Sequence, residues 1–427
     1  MGFVLGIVIY GLGWSGGRRS EAETPFPYRA IAVSSSVWHT LIITDDGGLW
    51  AFGAPWRSGL GDGTRESSQI PIRILDDVIH ASAGVDHSLA ITSDGGLWVW
   101  GACMGWRTDE ENIRLFPERI LENIVYATVA PYQANSHTSG SARSYAICAD
   151  GVLWAWGEGM EDQWGFAALG DGTKEHRPQP VPILEDVVSV IPTAGGGFAI
   201  TSDSGLWGWG AKRDGASVYP PEHVRLEPVL LMRDVKTVHV VYDYTFAIDI
   251  HGVLWALDDR PQPVMEDVIY ATGVLGAYFA ITTRGQLWGW GENQQTDQWH
   301  IVPMLGTGDT VWHDEPVLLM EGVQHVAISA DIALVLKDDY TIWQLNAYGN
   351  APYMLLEDVV DFSTAYYIDH GWVSFNHTFA VTRDGMLWGI GSGRGPWHVL
   401  TGFGDNKCHT PVIIMGSASQ RHIGPRQ

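Results

Sequence analysis

The sequence predicts an all-β fold, a β-propeller of four-stranded blades, and two observations carry this prediction. A unit in which a tight turn leads into a short apolar strand and a closing glycine, as from Asp94 to Gly101, recurs eight times. Its copies lie roughly 33 to 56 residues apart, the spacing of propeller blades or solenoid units. No stretch shows the 3.6-residue apolar periodicity of an amphipathic helix. The eight copies are marked by Leu49-Trp50, Leu97-Trp98, Leu153-Trp154, Leu206-Trp207, Leu254-Trp255, Leu287-Trp288, Ile342-Trp343 and Leu387-Trp388.

Residues 78–121 illustrate the four strands predicted for each unit. Strand A covers 78–84, strand B 87–92, strand C 97–100 and strand D 117–121. An Asp-Gly turn joins B to C, because these residues tolerate the positive φ of primed hairpin turns. Four short antiparallel strands in each repeat are typical of a propeller blade. Strand B has a small residue at one place in most units, which lets blades converge: Ala90, Ala146, Ala199, Ala247, Ala280 and Ala380.

The chain divides into three parts on its sequence. Residues 28–416 are predicted to form the propeller, and 417–427 a C-terminal tail. Residues 1–27 are apolar at their start and look like a degenerate half-repeat, without the basic region and cleavage site typical of a signal peptide. The apolar run is too short to span a bilayer and no longer run follows, so no transmembrane span is expected.

Composition disfavours several classes of partner and site. The 427-residue chain has a formal net charge of −24, which repels phosphate backbones, so general nucleic-acid binding is not expected. Three cysteines without a CxxC pattern indicate neither a zinc site nor a disulfide framework. The sequence has no HExxH motif, no nucleophile elbow and no convincing carboxylate pair, so we expect no cofactor, no metal and no enzymatic activity. We expect a monomer, and a cytoplasmic location is slightly favoured over secretion.

The alternation of strand direction places all long connections on one face. The A–B and C–D connections emerge on that face, and the B–C and D–A turns on the other. The C–D connections are long at 54–69, 158–179 and 292–315, and the A–B connections at 131–143 and 364–376. Insertions into a rigid scaffold commonly carry function. The long-loop face is therefore the predicted binding surface.

The long loops contain the residue types that dominate protein interfaces, namely Trp, Tyr and Arg. An open alternative for each aromatic residue is that it folds back and caps its own blade. The predicted partner-binding residues are Trp56, Arg57, Trp106, Arg107, Tyr132, His137, Trp164, Trp299, Tyr366, Tyr367, Trp372 and Trp397.

Two further sets of residues are predicted to be structural. We expect Trp98, Trp154, Trp207 and Trp288 to be largely buried between blades. A histidine begins strand B in three separate units, at His39, His87 and His377. Because buried polar groups need partners, we expect these histidines to bond to the backbone rather than to bind a ligand.

The run from Ala83 to Gly101 resembles the repeat of the regulator of chromosome condensation (RCC1) family. The elements Leu60-Gly61-Asp62-Gly63 and Leu169-Gly170-Asp171-Gly172 are similar to the Leu-Gly-x-Gly element of the same repeat. The resemblance covers about residues 28–416 and implies a propeller. The family norm is seven blades, whereas this sequence contains eight units. Either the ring has eight blades or one unit lies outside a seven-bladed ring.

These observations favour a non-catalytic scaffold that binds an unidentified protein through its long-loop face. The resemblance implies a second function, guanine nucleotide exchange on a small GTPase, although no residue here is matched to the exchange residues of that family. A carbohydrate-binding propeller and a secreted enzyme inhibitor are also compatible with the sequence. A repeat specifies a scaffold and does not choose among these functions.

Overall fold

The structure of the chain is a computed structural model. It describes residues 28–36, 38–53, 60–102, 113–130, 143–159, 168–193, 195–210, 213–214, 217–218, 224–241, 244–257, 261–274, 276–293, 305, 307, 311–329, 332–345, 352–369, 372–393 and 408–415. Within some strands the description is of the backbone alone, chiefly at 365–369, 372–377, 390–393 and 408–415. Every regular element of these residues is a strand.

Eight antiparallel sheets, here called blades 1 to 8, follow one another along the chain, and each is composed of four strands in sequence order. Blade 1 contains β1 (Ala30–Ser35), β2 (His39–Thr44), β3 (Leu49–Gly53) and β4 (Ser68–Leu75). Blade 2 contains β5 (Val78–Ala83), β6 (His87–Thr92), β7 (Leu97–Gly101) and β8 (Arg114–Leu121). Blade 3 contains β9 (Ile124–Val129), β10 (Arg143–Cys148), β11 (Leu153–Gly157) and β12 (Arg177–Leu184). Blade 4 contains β13 (Val187–Pro192), β14 (Gly196–Thr201), β15 (Leu206–Gly210) and β18 (Arg225–Met232), with the small hairpin β16 (Arg213–Asp214) and β17 (Ser217–Val218) between the last two.

The second half of the ring repeats this plan. Blade 5 contains β19 (Val235–Val241), β20 (Tyr244–Asp249), β21 (Leu254–Ala256) and β22 (Gln262–Met265). Blade 6 contains β23 (Val268–Val274), β24 (Ala277–Thr282), β25 (Leu287–Gly291) and β26 (His313–Met320). Blade 7 contains β27 (Val323–Ser329), β28 (Ile332–Lys337), β29 (Ile342–Leu345) and β30 (Tyr353–Leu356). Blade 8 contains β31 (Val359–Asp369), β32 (Trp372–Thr382), β33 (Leu387–Gly393) and β34 (Cys408–Met415).

All eight blades belong to one closed ring. The first strands of neighbouring blades contact one another at seven of the eight joints, and between blades 3 and 4 the first strand β13 contacts β10, so the A strands are innermost. Blade 8 packs against blade 1 in the same way, through β31, β32 and β1. At this joint Ala30 N donates to Gly385 O at 3.3 Å, and the rings of Phe52 and Phe379 meet edge to face at 5.5 Å. The prediction of eight units is confirmed, and none lies outside the ring.

The two faces of the ring differ in the length of their connections, as predicted. Every B–C connection has four residues and every D–A connection has two. The second residue of each D–A turn has a positive φ, for example 56° at Asp77 and 59° at Asn123. Asp and Asn visit this left-handed region more easily than other residues with side chains. Backbone geometry therefore accounts for the Asp or Asn at the second position of most D–A turns, and the acidic residues of these turns give this face, the short-turn face, its many carboxylates.

The hydrophobic core lies between blades, and each portion joins the facing sides of two neighbours. The portion between blades 1 and 2 combines Leu41 and Leu60 of blade 1 and its loop with Ala90 and Trp100 of blade 2. The six strand-B alanines are all fully buried, which fits their predicted packing role. The ring thus depends on small and large residues at fixed places in each repeat.

The four tryptophans predicted to be structural are less completely buried than a second set of tryptophans on the same strands. Trp98, Trp154, Trp207 and Trp288 are only half-buried, whereas the second tryptophans of the same strands are buried: Trp100, Trp156, Trp209 and Trp290. Both residues of a pair lie on the same face of strand C, since they are two apart. The first lies next to the B–C turn, where solvent reaches it, and the indole N–H of Trp98 donates to Thr92 Oγ1 at 3.2 Å.

Candidate functional site

Most of the predicted partner-binding residues lie outside the described residues. This applies to Trp56, Arg57, Trp106, Arg107, Tyr132, His137, Trp164, Trp299 and Trp397. The backbone is described for Tyr366, Tyr367 and Trp372, which all belong to blade 8. Their assignment to a binding surface remains a prediction.

The stretch 364–376 is an extended β-hairpin and not the loop that the sequence predicted. Strands β31 and β32 have 11 residues each, and their ladder continues to the pair Asp369↔Trp372. Strand β33 follows them as far as Gly393, which pairs with Phe375. In the other blades the A and B strands have six or seven residues. Cross-strand pairing in blade 8 therefore continues for several residues more than the pairing of the described A and B strands elsewhere.

The blade 8 hairpin rises from the face that carries all the long connections. Strand C is separated from strand D by residues 54–67 in blade 1, 158–176 in blade 3 and 292–312 in blade 6. The predicted one-sided distribution of loop length is therefore present. The hairpin β16–β17 of blade 4 also belongs to this face and was not predicted.

Two of the strand-B histidines form polar links between blades. His39 Nε2 lies 2.6 Å from Ser88 Oγ of blade 2, and His87 Nε2 lies 2.6 Å from Ser144 Oγ of blade 3. Burial lowers the pKa of each imidazole from 6.5 to about 4, so both rings are neutral at pH 7. Their structural role agrees with the prediction, but the partner is a serine hydroxyl of the next blade rather than the backbone. The side chain of His377 lies outside the described residues.

A second group of titratable side chains lines the inner strands of blades 5 to 8. His239 and Tyr270 have ring centroids 4.8 Å apart, Tyr270 and His325 5.0 Å, and His325 and Phe362 5.5 Å. Burial lowers the pKa of both histidines and raises the pKa of Asp361 on the same innermost strand as Phe362. Rings in contact edge to face pack well, and this arrangement needs no ligand. Among the described residues, no group of three or more His, Cys, Asp or Glu could hold a metal ion.

The Leu-Gly-x-Gly element has a packing role. A Cβ built on Gly61 would come within 2.9 Å of Trp100 Nε1 of the next blade, and one on Gly170 within 3.2 Å of the Trp209 ring. Both glycines also have a φ near 97°. The element therefore covers the buried tryptophan of the following blade.

The described residues contain no helix with the length and hydropathy of a membrane span.

Comparison with known proteins supports the repeat assignment and the architecture. The profile of the Regulator of chromosome condensation (RCC1) repeat matches residues 78–102. The crystal structure of human WBSCR16 superposes with a TM-score of 0.51 at 17% identity, covering 77% of this chain and 94% of that chain. Prp20p from Saccharomyces cerevisiae, studied for its binding to Gsp1p and histones, is 19% identical over 91% of this chain and 78% of its own, with a TM-score of 0.43. At such identities the likeness shows the fold alone.

Proposed function

We propose that this RCC1-repeat β-propeller is a non-catalytic scaffold that binds a protein partner through its long-loop face, led by the blade 8 hairpin. The observation that carries the proposal is the β31–β32 ladder, which is longer than the ladder between strands A and B in any other blade of the described residues. Because strand pairing already orders this hairpin, it loses little conformational entropy when a partner binds. The sequence places Tyr366, Tyr367 and Trp372 on it, and such residues are enriched at the centres of interfaces.

The test is a variant that shortens this hairpin without touching the blade. Residues 366–376 are replaced by Asn-Gly, which closes a two-residue turn after the pair Ala365↔His377. The wild type and the variant are used as bait, and proteins lost from the variant are identified by mass spectrometry and purified. We expect each genuine partner to bind the variant at least about 30-fold more weakly, since a hot-spot cluster contributes about 2 kcal/mol or more.

Two controls show whether the loss of binding comes from the hairpin side chains. Substitution of Tyr366, Tyr367 and Trp372 by serine retains the chain length and should weaken binding nearly as much. Asp267→Asn, on the short-turn face, retains a residue that tolerates the φ of 60° and should leave the Kd unchanged. A purified partner that binds all variants equally would contradict the proposal.

Nucleotide exchange is tested with the same purified chain. Small GTPases loaded with a fluorescent GDP analogue are mixed with the propeller, and release of the nucleotide is followed with time. Scaffolding predicts no acceleration beyond the intrinsic rate. Acceleration that is lost in the hairpin variant would replace the scaffold proposal with exchange at the same face.

A further inference from the structure

Two blades hold one of their own arginines in a repeated arrangement on the short-turn face. In blade 1, the Arg73 guanidinium lies 5.4 Å from the centroid of the Trp50 ring. It also pairs with Asp46 of the B–C turn at 2.8 Å and with Asp76 of the D–A turn at 2.7 Å. We call this combination of a strand-C tryptophan, a B–C aspartate and a D–A carboxylate an arginine clamp.

Blade 2 repeats the clamp. Arg119 is the cross-strand partner of Trp98, as Arg73 is of Trp50. Its guanidinium pairs with Asp94 at 2.8 Å and with Glu122 at 3.8 Å. The two carboxylates of the clamp therefore accept a guanidinium in both blades, and in blade 1 the guanidinium also lies over the indole ring.

Blade 3 retains the clamp but lacks the arginine. Trp154, Asp150 and Glu185 occupy the equivalent places, and the cross-strand partner of Trp154 is Pro182. No ion pair between described residues involves Asp150 or Glu185. Both carboxylates are exposed. Blade 3 thus presents the acceptors of an arginine without a cation of its own.

Two other blades with a B–C aspartate, blades 4 and 7, supply a cation from a different position. In blade 4, Arg233 of the D–A turn pairs with Asp203 at 3.4 Å. In blade 7, Lys337 Nζ lies 5.7 Å from the centroid of the Trp343 ring.

Asp384 of blade 8 also forms no ion pair among the described residues, but strand D of that blade is followed in the sequence by Gly416 and Ser417 rather than by a carboxylate. Among the described residues, blade 3 is therefore the blade that has both carboxylates of the clamp and no cation beside them.

Of the three clamp residues of blade 3, Trp154 and Glu185 line an open cleft of about 850 Å³ that extends to blade 4. Trp154 and Pro182 line its blade 3 end, and Trp207 lines its blade 4 end. Glu185, Asp186 and Asp203 also line it, so its charge is negative. The cleft is larger than one guanidinium, which leaves room for the flanking residues of a bound segment.

We propose that this blade 3–4 cleft binds an arginine side chain from a basic segment of a protein partner. The planar guanidinium stacks on an indole and forks between carboxylates, which a lysine ammonium does less well. The many acidic turns around the cleft and the net charge of −24 favour the approach of a basic segment. This site lies on the face opposite to the blade 8 hairpin and does not depend on the proposed function.

The experiment uses a fluorescent peptide of alternating glycine and arginine, with fluorescence anisotropy as the readout. Pro182→Arg places the chain's own arginine in the clamp, as in blades 1 and 2. We expect it to weaken peptide binding by about tenfold or more, because the acceptors are then occupied. Leu318→Arg is the matched control, since Leu318 is the exposed cross-strand partner of Trp288 in blade 6 and the added charge is the same. It should change the Kd by less than about twofold.

Two further measurements distinguish the cleft from a general acidic surface. The double variant Asp150→Gln, Glu185→Gln leaves the tryptophans in place and should weaken binding about threefold to tenfold, in the range for exposed ion pairs. A matched peptide with citrulline in place of arginine should bind at least about tenfold more weakly. Shortening the blade 8 hairpin should have no effect.

Several results would overturn the proposal. One is the absence of measurable binding by the wild type, and another is an equal loss in Pro182→Arg and Leu318→Arg. Equal affinity for the arginine and citrulline peptides would show that the cleft does not recognise the charge of the guanidinium. Circular dichroism of each variant verifies that the ring is folded, and the glutamine double variant decides the question if Pro182→Arg does not fold.

Discussion

The two inter-blade histidine links predict that the ring loses stability in mild acid. His39 and His87 are buried and neutral in the folded chain, with a pKa of about 4 instead of 6.5. Between these values the unfolded chain binds a proton at each residue and the folded chain does not. Stability therefore falls as pH drops from about 6.5 towards 4, because the unfolded state binds more protons there.

The size of the effect follows from the shift in pKa. A fall from 6.5 to about 4 corresponds to about 3 kcal/mol for each histidine, at about 1.4 kcal/mol per pKa unit. Losing this contribution at two neighbouring joints would consume much of the 5–15 kcal/mol that is typical of a folded domain, by an order-of-magnitude comparison.

The assay is urea unfolding at a series of pH values between about 7.5 and 4.5, followed by circular dichroism and by tryptophan fluorescence. The perturbation is His39→Gln and His87→Gln, singly and together, and the readout is the change of unfolding free energy with pH. Each substitution should flatten this dependence between pH 6.5 and 4.5, whatever it does to absolute stability. His251→Gln, at an exposed B–C turn, is the control.

An unchanged pH dependence in the double variant would refute the reasoning. Histidine NMR provides an independent measurement. The imidazole signals of residues 39 and 87 should not titrate above about pH 5 in the folded chain, because burial holds each pKa at about 4. Titration near pH 6.5 would show that the rings are accessible to solvent, and the two links would then be wrongly assigned.

Three further predictions concern stability and can be measured as shifts in urea midpoint at neutral pH. Trp100→Ala should cost about 3–5 kcal/mol, as for a fully buried aromatic residue, and Trp98→Ala less than half of that because its ring is half-buried; equal costs would contradict the assigned roles. Gly61→Ala should cost about 1–3 kcal/mol, since its φ is 97° and the new Cβ would meet the Trp100 ring; a neutral effect would show that the indole can move. Asp77→Gly should be nearly neutral and Asp77→Val should cost about 1–2 kcal/mol, because the φ of 56° requires a residue that tolerates it; the reverse order would mean that the carboxylate, and not the backbone, matters at this turn.

The sequence was sufficient for the architecture because each blade repeats its own turn and strand signals. The Asp-Gly turns and the acidic D–A junctions depend on local backbone geometry, so they could be counted without knowledge of tertiary contacts. The choice between Trp98 and Trp100 could not be made in this way. Trp100 is covered by the Leu60-Gly61 element of the preceding blade, which lies about forty residues earlier in the chain. The spacing of residues along one strand does not reveal which of its side chains is covered by another blade.

The candidate sites were harder to predict for related reasons. The length of the 364–376 insertion was visible, but its pairing was missed, because the sequence has no Asn-Gly or Asp-Gly step there to mark a two-residue hairpin turn. The blade 3–4 cleft becomes visible only when Arg73, Arg119 and Pro182 are aligned across repeats by the register of strand D with strand C.

The joint between blades 8 and 1 has a consequence for chain connectivity. Arg29 O accepts from Asp45 N at 2.9 Å, as Asp77 O accepts from Ser93 N at 2.8 Å, and Ala30 N donates to Gly385 O as Val78 N donates to Gly47 O. This joint thus reproduces a D–A junction between strands that are distant in sequence. Circular permutation should therefore be tolerated: a connection from Met415 that retains Tyr28 and Arg29 as its two residues before Ala30, with new ends opened at another D–A turn, would leave all eight sheets in place.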